Sequence, residues 1–424
     1  MKLLLVGNHT CGNRGDGAIL RGLLDSLRKI DPDIELDIIS RYATSSSLLL
    51  DEQISVDTLH VAKNKQKNTN LFGKIKNKIN AFFLPRILLA HAKKKGLLYK
   101  FSLPSYMLDF ISDLQKYDAV IQVGGSFFVD LYGTAQFEHV LCTLIAKKDI
   151  YLIGHSVGPF ENAFFRDVAA YAFSNVNNLI LREDVSLELM KSAGIPTDKV
   201  IMGVDTAFLV NDMKFQDKHY VLDHWLDIIG RKPTIAITVR RLAPFDKRLG
   251  VSQESYEIAI ASMVDHYINK GYQVVAFSTC TGIESYNNDD RMIAYSVRNR
   301  LKGSVADFHI VMDEINDLQL GYLLRACKLT VGTRLHSAII SINFGTPAIA
   351  INYEHKSLGV MRGLEMEQLS ANLTELLNGK IIDKIDYILD NYSDLSDALR
   401  VKIGRTRDIG SDISKIILDE IGIK

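Results

Sequence analysis

The sequence predicts an α/β protein of two doubly wound domains with a cleft between them. Three observations lead there. Short β-branched runs alternate with helical patterns almost throughout, and that alternation requires parallel strands with helices on both faces. The alternation breaks at the polar stretch Asn211–His224 and then restarts, which divides the chain in two. The length, 424 residues with 47% apolar and 24% charged, suits two or three globular domains and excludes disorder as the main state.

Taken in order, Lys2–Val6, Glu35–Ser40, Ala119–Val123, Ile150–Gly154, Asn178–Leu181 and Lys199–Met202 read as strands. They are mostly unbroken apolar runs, as expected for strands buried on both faces. Helical spacing lies between them at Asp16–Lys29, Gln136–Lys147, Asn162–Asn175 and Ser186–Ala193. After the break, Thr234–Val239, Gln273–Ser278, Phe308–Met312, Lys328–Val331 and Ala348–Asn352 read as strands. Glu254–Lys270, Asp289–Leu301, Asp317–Ala326 and Arg334–Asn343 read as helices. We therefore expect a first domain at 1–212 with a basic insertion at about 58–108, a second at 213–382, and bracing helices at 383–424.

The composition narrows the function classes. Lys+Arg and Asp+Glu are 50 each, so the formal net charge is zero. No recognised nucleic-acid module accompanies the basic residues, so nucleic acid is not an expected partner. No window holds 18 apolar residues in a row, and Leu3–Val6 is too short for a signal-peptide core. Four separated cysteines read as reduced thiols, so a cytoplasmic setting is expected. No HExxH, cysteine cluster or EF-hand spacing is present, so no metal site is expected, and Asp289-Asp290-Arg291 reads as a helix start.

In doubly wound sheets ligands bind beyond the carboxyl ends of the strands. The loop after the first strand, Gly7 to Ala18, is rich in glycine and could cradle an anion with its amides. Its other reading is a turn with Asp16 capping the helix. Gly124-Gly125 follow the expected strand Ala119–Val123 and allow close backbone approach. Gly154-His155-Ser156-Val157-Gly158 is a literal GxSxG, which raises a hydrolase nucleophile, although Pro159 intervenes before the next helix. Arg182 ends a strand and either pairs with Glu183 or forms a clamp for an anion. Arg240 ends another. Gly332-Thr333-Arg334-Leu335-His336 is the richest loop: Gly turns, Thr333 is expected to cap, and Arg334 and His336 lie at the positive end of a helix. A histidine that gives up its proton only when an anion is bound beside it suits an acid catalyst.

In their order, these loops resemble the polysaccharide pyruvyltransferase family. The resemblance rests on Asn13-x-Gly15-Asp16-x-Ala18, Gly124-Gly125, Gly154-x-Ser156-x-Gly158-Pro159, Arg182-Glu183-x-x-Ser186, Gly203-x-Asp205 and Thr333-Arg334-Leu335-His336, and it runs along nearly the whole chain. It is strongest toward members that serve colanic acid-like exopolysaccharides. It implies a two-domain, Rossmann-like fold similar to the glycosyltransferase B architecture. It also implies transfer of the pyruvyl group of phosphoenolpyruvate onto a hydroxyl pair of a sugar, galactose by expectation, with a cyclic ketal and phosphate as products. The acceptor is then a lipid-linked or free oligosaccharide, and phosphoenolpyruvate is a co-substrate, so no cofactor is expected.

By that resemblance Arg182 and Arg334 hold the carboxylate and phosphate of the donor, and His336 is the acid catalyst. Asp16, a carboxylate expected at the opposing domain's cleft edge, is the candidate to orient or deprotonate the acceptor hydroxyl. Arg240 and Lys356 match further cleft positions, and Asn13, Gly15, Gly124, Gly125, Thr333 and Leu335 complete the expected substrate-binding set. The resemblance also turns the GxSxG match into a family loop. The alternatives are a nucleotide-sugar glycosyltransferase of the same architecture and a non-catalytic scaffold of polysaccharide assembly.

The zero net charge conceals one asymmetry. From Thr58 to Leu108 there is no acid, while eleven Lys or Arg occur there, from Lys63 to Lys100. Leu71, Phe72, Ile75, Ile79, Phe82 and Phe83 recur at helical spacing among Lys74, Lys76 and Lys78, and Pro85 is expected to end the run. That is a basic amphipathic helix, readable as contact with an anionic membrane surface over 63–100. The other reading is a helix packed on its domain with snorkelling lysines.

Overall fold

The structure is a computed structural model that describes residues 1–67, 71–211, 219–243, 246–352 and 355–422. Within these, the side chains of 65–67, 71–81, 247–248, 285 and 355–357 lie outside the described set. Two parallel sheets form. The first holds β1 (Lys2–Asn8), β2 (Glu35–Ser40), β3 (Ile54–Val56), β4 (Ala119–Phe128), β5 (Asp149–Val157), β6 (Asn178–Leu181) and β7 (Val200–Met202), in the order β3-β2-β1-β4-β5-β6-β7. The second holds β8 (Thr234–Thr238), β9 (Gln273–Phe277), β10 (Phe308–Ile310), β11 (Leu329–Gly332), β12 (Ala348–Asn352) and β13 (Ser370–Asn372), in the order β10-β9-β8-β11-β12-β13.

Burial on both faces explains the unbroken apolar runs. Leu3, Leu5, Val120 and Ile121 in the first sheet, and Ile237, Val275 and Ile349 in the second, are inaccessible to solvent. Each sheet has a switch point where the winding reverses, between β1 and β4 in one and between β8 and β11 in the other. The loops that leave these strands are where a doubly wound sheet places its ligand.

Contacts divide the chain into two compact units. One comprises Met1–Thr10, Ser26–Thr206 and Gly410–Lys424; the other comprises Cys11–Asp25 and Ala207–Ile409. The Gly-rich loop after β1 and the first turns of its helix (Arg14–Ile30) therefore group with the second sheet. The last turns of the helix Tyr392–Gly422 group with the first sheet, where the Ser26 and Ser414 hydroxyls bond at 2.9 Å and Asn178 donates to Glu420 at 3.1 Å.

Several local expectations are corrected. β4 runs on to Phe128 and β5 to Val157, so Gly124-Gly125 and Ser156 lie within strands and not in loops after them. The glycines make this possible. A methyl on Gly124 would lie 2.4 Å from the Gly154 carbonyl oxygen, so only glycine lets β4 close on β5 here. The register shifts just beyond, between Gly125 and Phe128. Ser156 is consequently buried in a strand well before the helix Ala163–Asn175, which removes the hydrolase-elbow reading. Pro85 does not end its helix, which spans Leu71–Lys93. β3 and β13 have three residues each, too few for a periodic signal.

Candidate active site

The richest group of polar side chains lies at the switch point of the second sheet. β11 ends at Gly332, where a methyl would lie 2.2 Å from Ser337 Oγ, so the turn into the helix Leu335–Asn343 requires glycine. The Thr238 and Ser337 hydroxyls bond across this turn at 2.6 Å. Thr333 does not cap the helix. Arg334 holds the cap position with no side-chain cap bond, and the Thr333 hydroxyl is taken by Tyr256 at 2.8 Å. Burial pushes the Tyr256 phenol up, so it stays neutral.

Arg334 is fixed by a two-pronged pair with Asp290, Nε to Oδ2 at 3.1 Å and Nη2 to Oδ1 at 2.7 Å. Asp290 also accepts from the Cys280 amide at 3.1 Å and the Thr279 hydroxyl at 3.2 Å. A buried carboxylate with this many donors is held rigidly, and it aims the planar guanidinium. Arg240 leaves β8 beside this group. It is buried, with Nε donating to the Arg241 carbonyl at 2.9 Å. The charges of Arg334, Asp290 and Asp16 all act on Cys280, whose thiol burial pushes up to about 12. Cys280 is therefore a protonated thiol and no nucleophile.

The Gly-rich loop completes the group from within the same compact unit. Asn13 bridges to Cys280, and its side chain accepts from the Gly15 amide at 3.1 Å. Arg14 is fully buried and pins the loop. Its guanidinium donates to the Cys11 and Gly12 carbonyls at 3.0 Å each, to the Thr281 hydroxyl at 3.0 Å, to the Ile315 carbonyl and to Glu314. Its amide donates to the Thr279 carbonyl at 2.7 Å. Asp16 is buried in the first helical turn, two residues inside the helix start, and is not the cap.

Gly15 faces His336 directly. A methyl at Gly15 would lie 2.6 Å from Cβ, Cγ and Nδ1 of His336, atoms near the root of that side chain. The imidazole cannot swing aside cheaply. Gly15→Ala is therefore expected to displace His336 and lower kcat at least about tenfold, with little change in denaturation midpoint. Steady-state kinetics beside a urea titration checks this; unchanged kcat would show that the seat is not needed.

The other expected residues group differently. Gly124, Gly125 and Arg182 belong to the first unit. Arg182 does not pair with Glu183, which instead caps the helix Asp184–Ser192. Its guanidinium reaches Asp205 at 2.5 Å, Ser156 Oγ at 2.8 Å and Ser126 Oγ at 2.6 Å, tying the carboxyl ends of β4, β5 and β6 together. Lys356 lies on the helix His355–Gly363, and its side chain is outside the described residues. Among the described residues, no three His, Cys, Asp or Glu side chains gather as metal ligands.

Sequence reasoning missed Arg14, Tyr256 and Tyr286, whose phenol feels the charges of Asp16 and Arg334, as parts of the site, and the pairing partners Asp205 and Asp290. It also missed an aromatic group at the carboxyl edge of the first sheet. There His9 packs edge-on against Tyr42 at 5.7 Å and Phe127 at 6.0 Å, and Tyr42 lies 6.5 Å from His60. An Arg in a loop of small residues was the available signal for Arg14. The others become neighbours only through the fold.

Two desolvated imidazoles, His155 buried and His9 half-buried, give the first unit a pH dependence. Burial holds both His9 and His155 down at about 3 from the usual 6.5. The unfolded chain protonates them near pH 6.5 and the folded chain only near pH 3. Between these values the unfolded state binds more protons, so stability is full above about pH 6.5 and is lost progressively toward pH 3. Urea midpoints measured from pH 7.5 down to 4.5 should fall, and His155→Asn should flatten the slope. An unchanged slope would contradict the assignment.

Two doubly wound parallel sheets, with Arg and His groups at the switch point of the second, define a class of protein. Solved structures that share this fold include nucleotide-sugar epimerases and glycosyltransferases. The UDP-GlcNAc 2-epimerase of Neisseria meningitidis, solved with UDP-GlcNAc, matches at a TM-score of 0.61 and 16% identity over 100% of both chains. A glycosyltransferase of Rickettsia africae matches at 0.59 and 14% identity, over 99% of this chain and 98% of that one. Anabaena HepE, solved with UDP, matches at 0.56 and 12% identity over 100% of both chains.

Sequence decides the family within this class. The polysaccharide pyruvyl transferase family model matches residues 13–355, and the chain belongs to that family. It is also 52% identical to the amylovoran biosynthesis protein AmsJ of Erwinia amylovora over 422 residues, 100% of both chains.

Proposed function

We propose that this protein transfers the pyruvyl group of phosphoenolpyruvate to two hydroxyls of a sugar, galactose, in an exopolysaccharide repeat unit, forming a cyclic ketal and releasing phosphate. Family membership supports a pyruvyl transferase, and the relative's name supports a place in exopolysaccharide biosynthesis. The observation that carries the mechanism is the grouping, in one compact unit, of a fixed guanidinium (Arg334), a seated imidazole (His336) and a buried carboxylate (Asp16).

In this reading Arg334 and Arg240 hold the anionic groups of the donor. His336 protonates its terminal methylene, which becomes the methyl group and leaves an oxocarbenium-like carbon. The first sugar hydroxyl adds to that carbon and gives up its proton, with Asp16 orienting or accepting it. The C–O bond to phosphate then breaks and phosphate departs with the electron pair, stabilised by the two guanidinium groups. The second hydroxyl adds, loses its proton and closes the ketal. One donor and two hydroxyls give one ketal and one phosphate. Arg182 acts on the first unit as a positioning residue, since its nitrogens are already engaged by Asp205, Ser126 and Ser156.

The test is phosphoenolpyruvate-dependent release of phosphate coupled to pyruvylation of a galactose-containing oligosaccharide. Phosphate without a modified acceptor, or no phosphate with any such acceptor, overturns the reading.

A further inference from the structure

The acid-free segment of the first unit contains a rigid apolar loop that neither the core nor the proposed chemistry uses. The helix Leu71–Lys93 ends where Lys94 adopts a left-handed conformation (φ 51°), and the chain turns through Gly96 into the short helix Leu97–Lys100. The loop is held from within. The Lys94 and Lys95 amides bond back to His91 and Ala90, and the Phe101 amide bonds to Leu98. His91 Nε2 bonds to the Phe101 carbonyl at 2.7 Å, and its ring lies 4.9 Å from that of Tyr99.

This order does not bury the apolar side chains. Leu97 is 80% exposed, Phe101 58% and Tyr99 46%. Phe82 and Phe83, on the same helix, are also exposed. Lys94, Lys95 and Lys100 flank these residues in sequence and are exposed, and no ion pair engages them among the described residues. Two other cations of the segment are taken: Lys63 pairs with Glu138, and Arg86 stacks over Phe82 and Phe164 at 3.6 and 4.1 Å. The side chains of Lys74, Lys76 and Lys78, on which the amphipathic-helix expectation rested, lie outside the described residues.

We infer that the loop Lys93–Phe101 is a membrane-docking element for an anionic phospholipid surface. Leu97, Tyr99 and Phe101 enter the headgroup and acyl boundary, and Lys94, Lys95 and Lys100 meet the phosphates around them. Aromatic and aliphatic tips ringed by lysine are the chemistry that an anionic interface binds. The complete lack of acid from Thr58 to Leu108 removes the repulsion that would oppose such contact, and it argues for lipid as the occupant over an uncharged protein surface. No described helix is long and apolar enough to cross a membrane, so the contact is one of surface docking.

The test uses the full chain and vesicles of phosphatidylcholine, with and without about one-third phosphatidylglycerol. Sedimentation should show binding to the anionic vesicles alone, weakened by added salt. Leu97→Ser/Tyr99→Ser/Phe101→Ser and, separately, Lys94→Gln/Lys95→Gln/Lys100→Gln should each lower the partition coefficient about tenfold or more. Both variants should keep the parent's melting curve and its turnover of a soluble acceptor, because the altered side chains are exposed and outside the site. Absence of vesicle binding, or binding that neither variant weakens, overturns the inference. A concentration-dependent dimer abolished by the serine variant, without vesicle binding, also overturns it and reassigns the face to self-association. None of these readouts depends on which donor or acceptor the enzyme uses.

Discussion

His336→Asn is expected to lower kcat by about 10²–10⁴-fold, the usual contribution of a positioned general acid. Among the described residues of the site, none replaces it as a proton donor. Cys280 is a buried thiol held up at about 12, and the phenols of Tyr256 and Tyr286 are pushed up by burial, so all three are far weaker acids than an imidazolium near neutral pH. The effect should fall on kcat more than on KM, since Arg334 remains fixed by Asp290. The pH profile should change as well, losing the limb that reports the acid. Single-turnover kinetics with a folded variant measures this directly. Turnover within a few-fold of the parent would remove His336 from the chemistry.

The second large effect is on stability. Asp205→Ala is expected to destabilise the first unit by about 3–5 kcal/mol. Arg182 and Asp205 side chains are each 1% exposed and lie 2.5 Å apart. Removing the carboxylate leaves the buried guanidinium that ties three strand ends without its Asp205 counter-charge. Asp205→Asn keeps one acceptor and should cost less than the alanine change. Arg182→Met/Asp205→Leu removes both charges and should recover much of the loss, because the penalty comes from the orphaned ion more than from the missing bond. Urea titrations of the four proteins decide the matter. A double variant no more stable than Asp205→Ala would show that the pair is worth its desolvation.

Most of the fold was legible because its strands are buried on both faces. Runs such as Asn178–Leu181 and Ala348–Asn352 carry their own boundaries, and the structure reproduces both. What was hidden has specific causes. Gly124-Gly125 read as loop, since glycine is the usual mark of a turn; here it lets two strands touch. Thr333 read as a cap from local spacing, yet Tyr256, 77 positions away in sequence, claims its hydroxyl. Glu183 was one of two readings for Arg182, a partner by adjacency, while its actual partner Asp205 lies across the sheet end. Chain order places Asp16 with β1, but contacts place Cys11–Asp25 with the second sheet, in the unit of Arg334 and His336. The motif residues were visible in the sequence; their supports, Arg14, Asp290 and Tyr256, were not, because a support is defined by what it touches.

The most direct test of the central claim is a two-channel assay. The protein is incubated with phosphoenolpyruvate and a galactose-containing oligosaccharide, and phosphate and acceptor mass are followed together. The account predicts one phosphate released for each acceptor that gains a cyclic pyruvate ketal, with both signals lost in His336→Asn. No phosphate with any galactose-containing acceptor, alongside turnover of a nucleotide sugar, would contradict it.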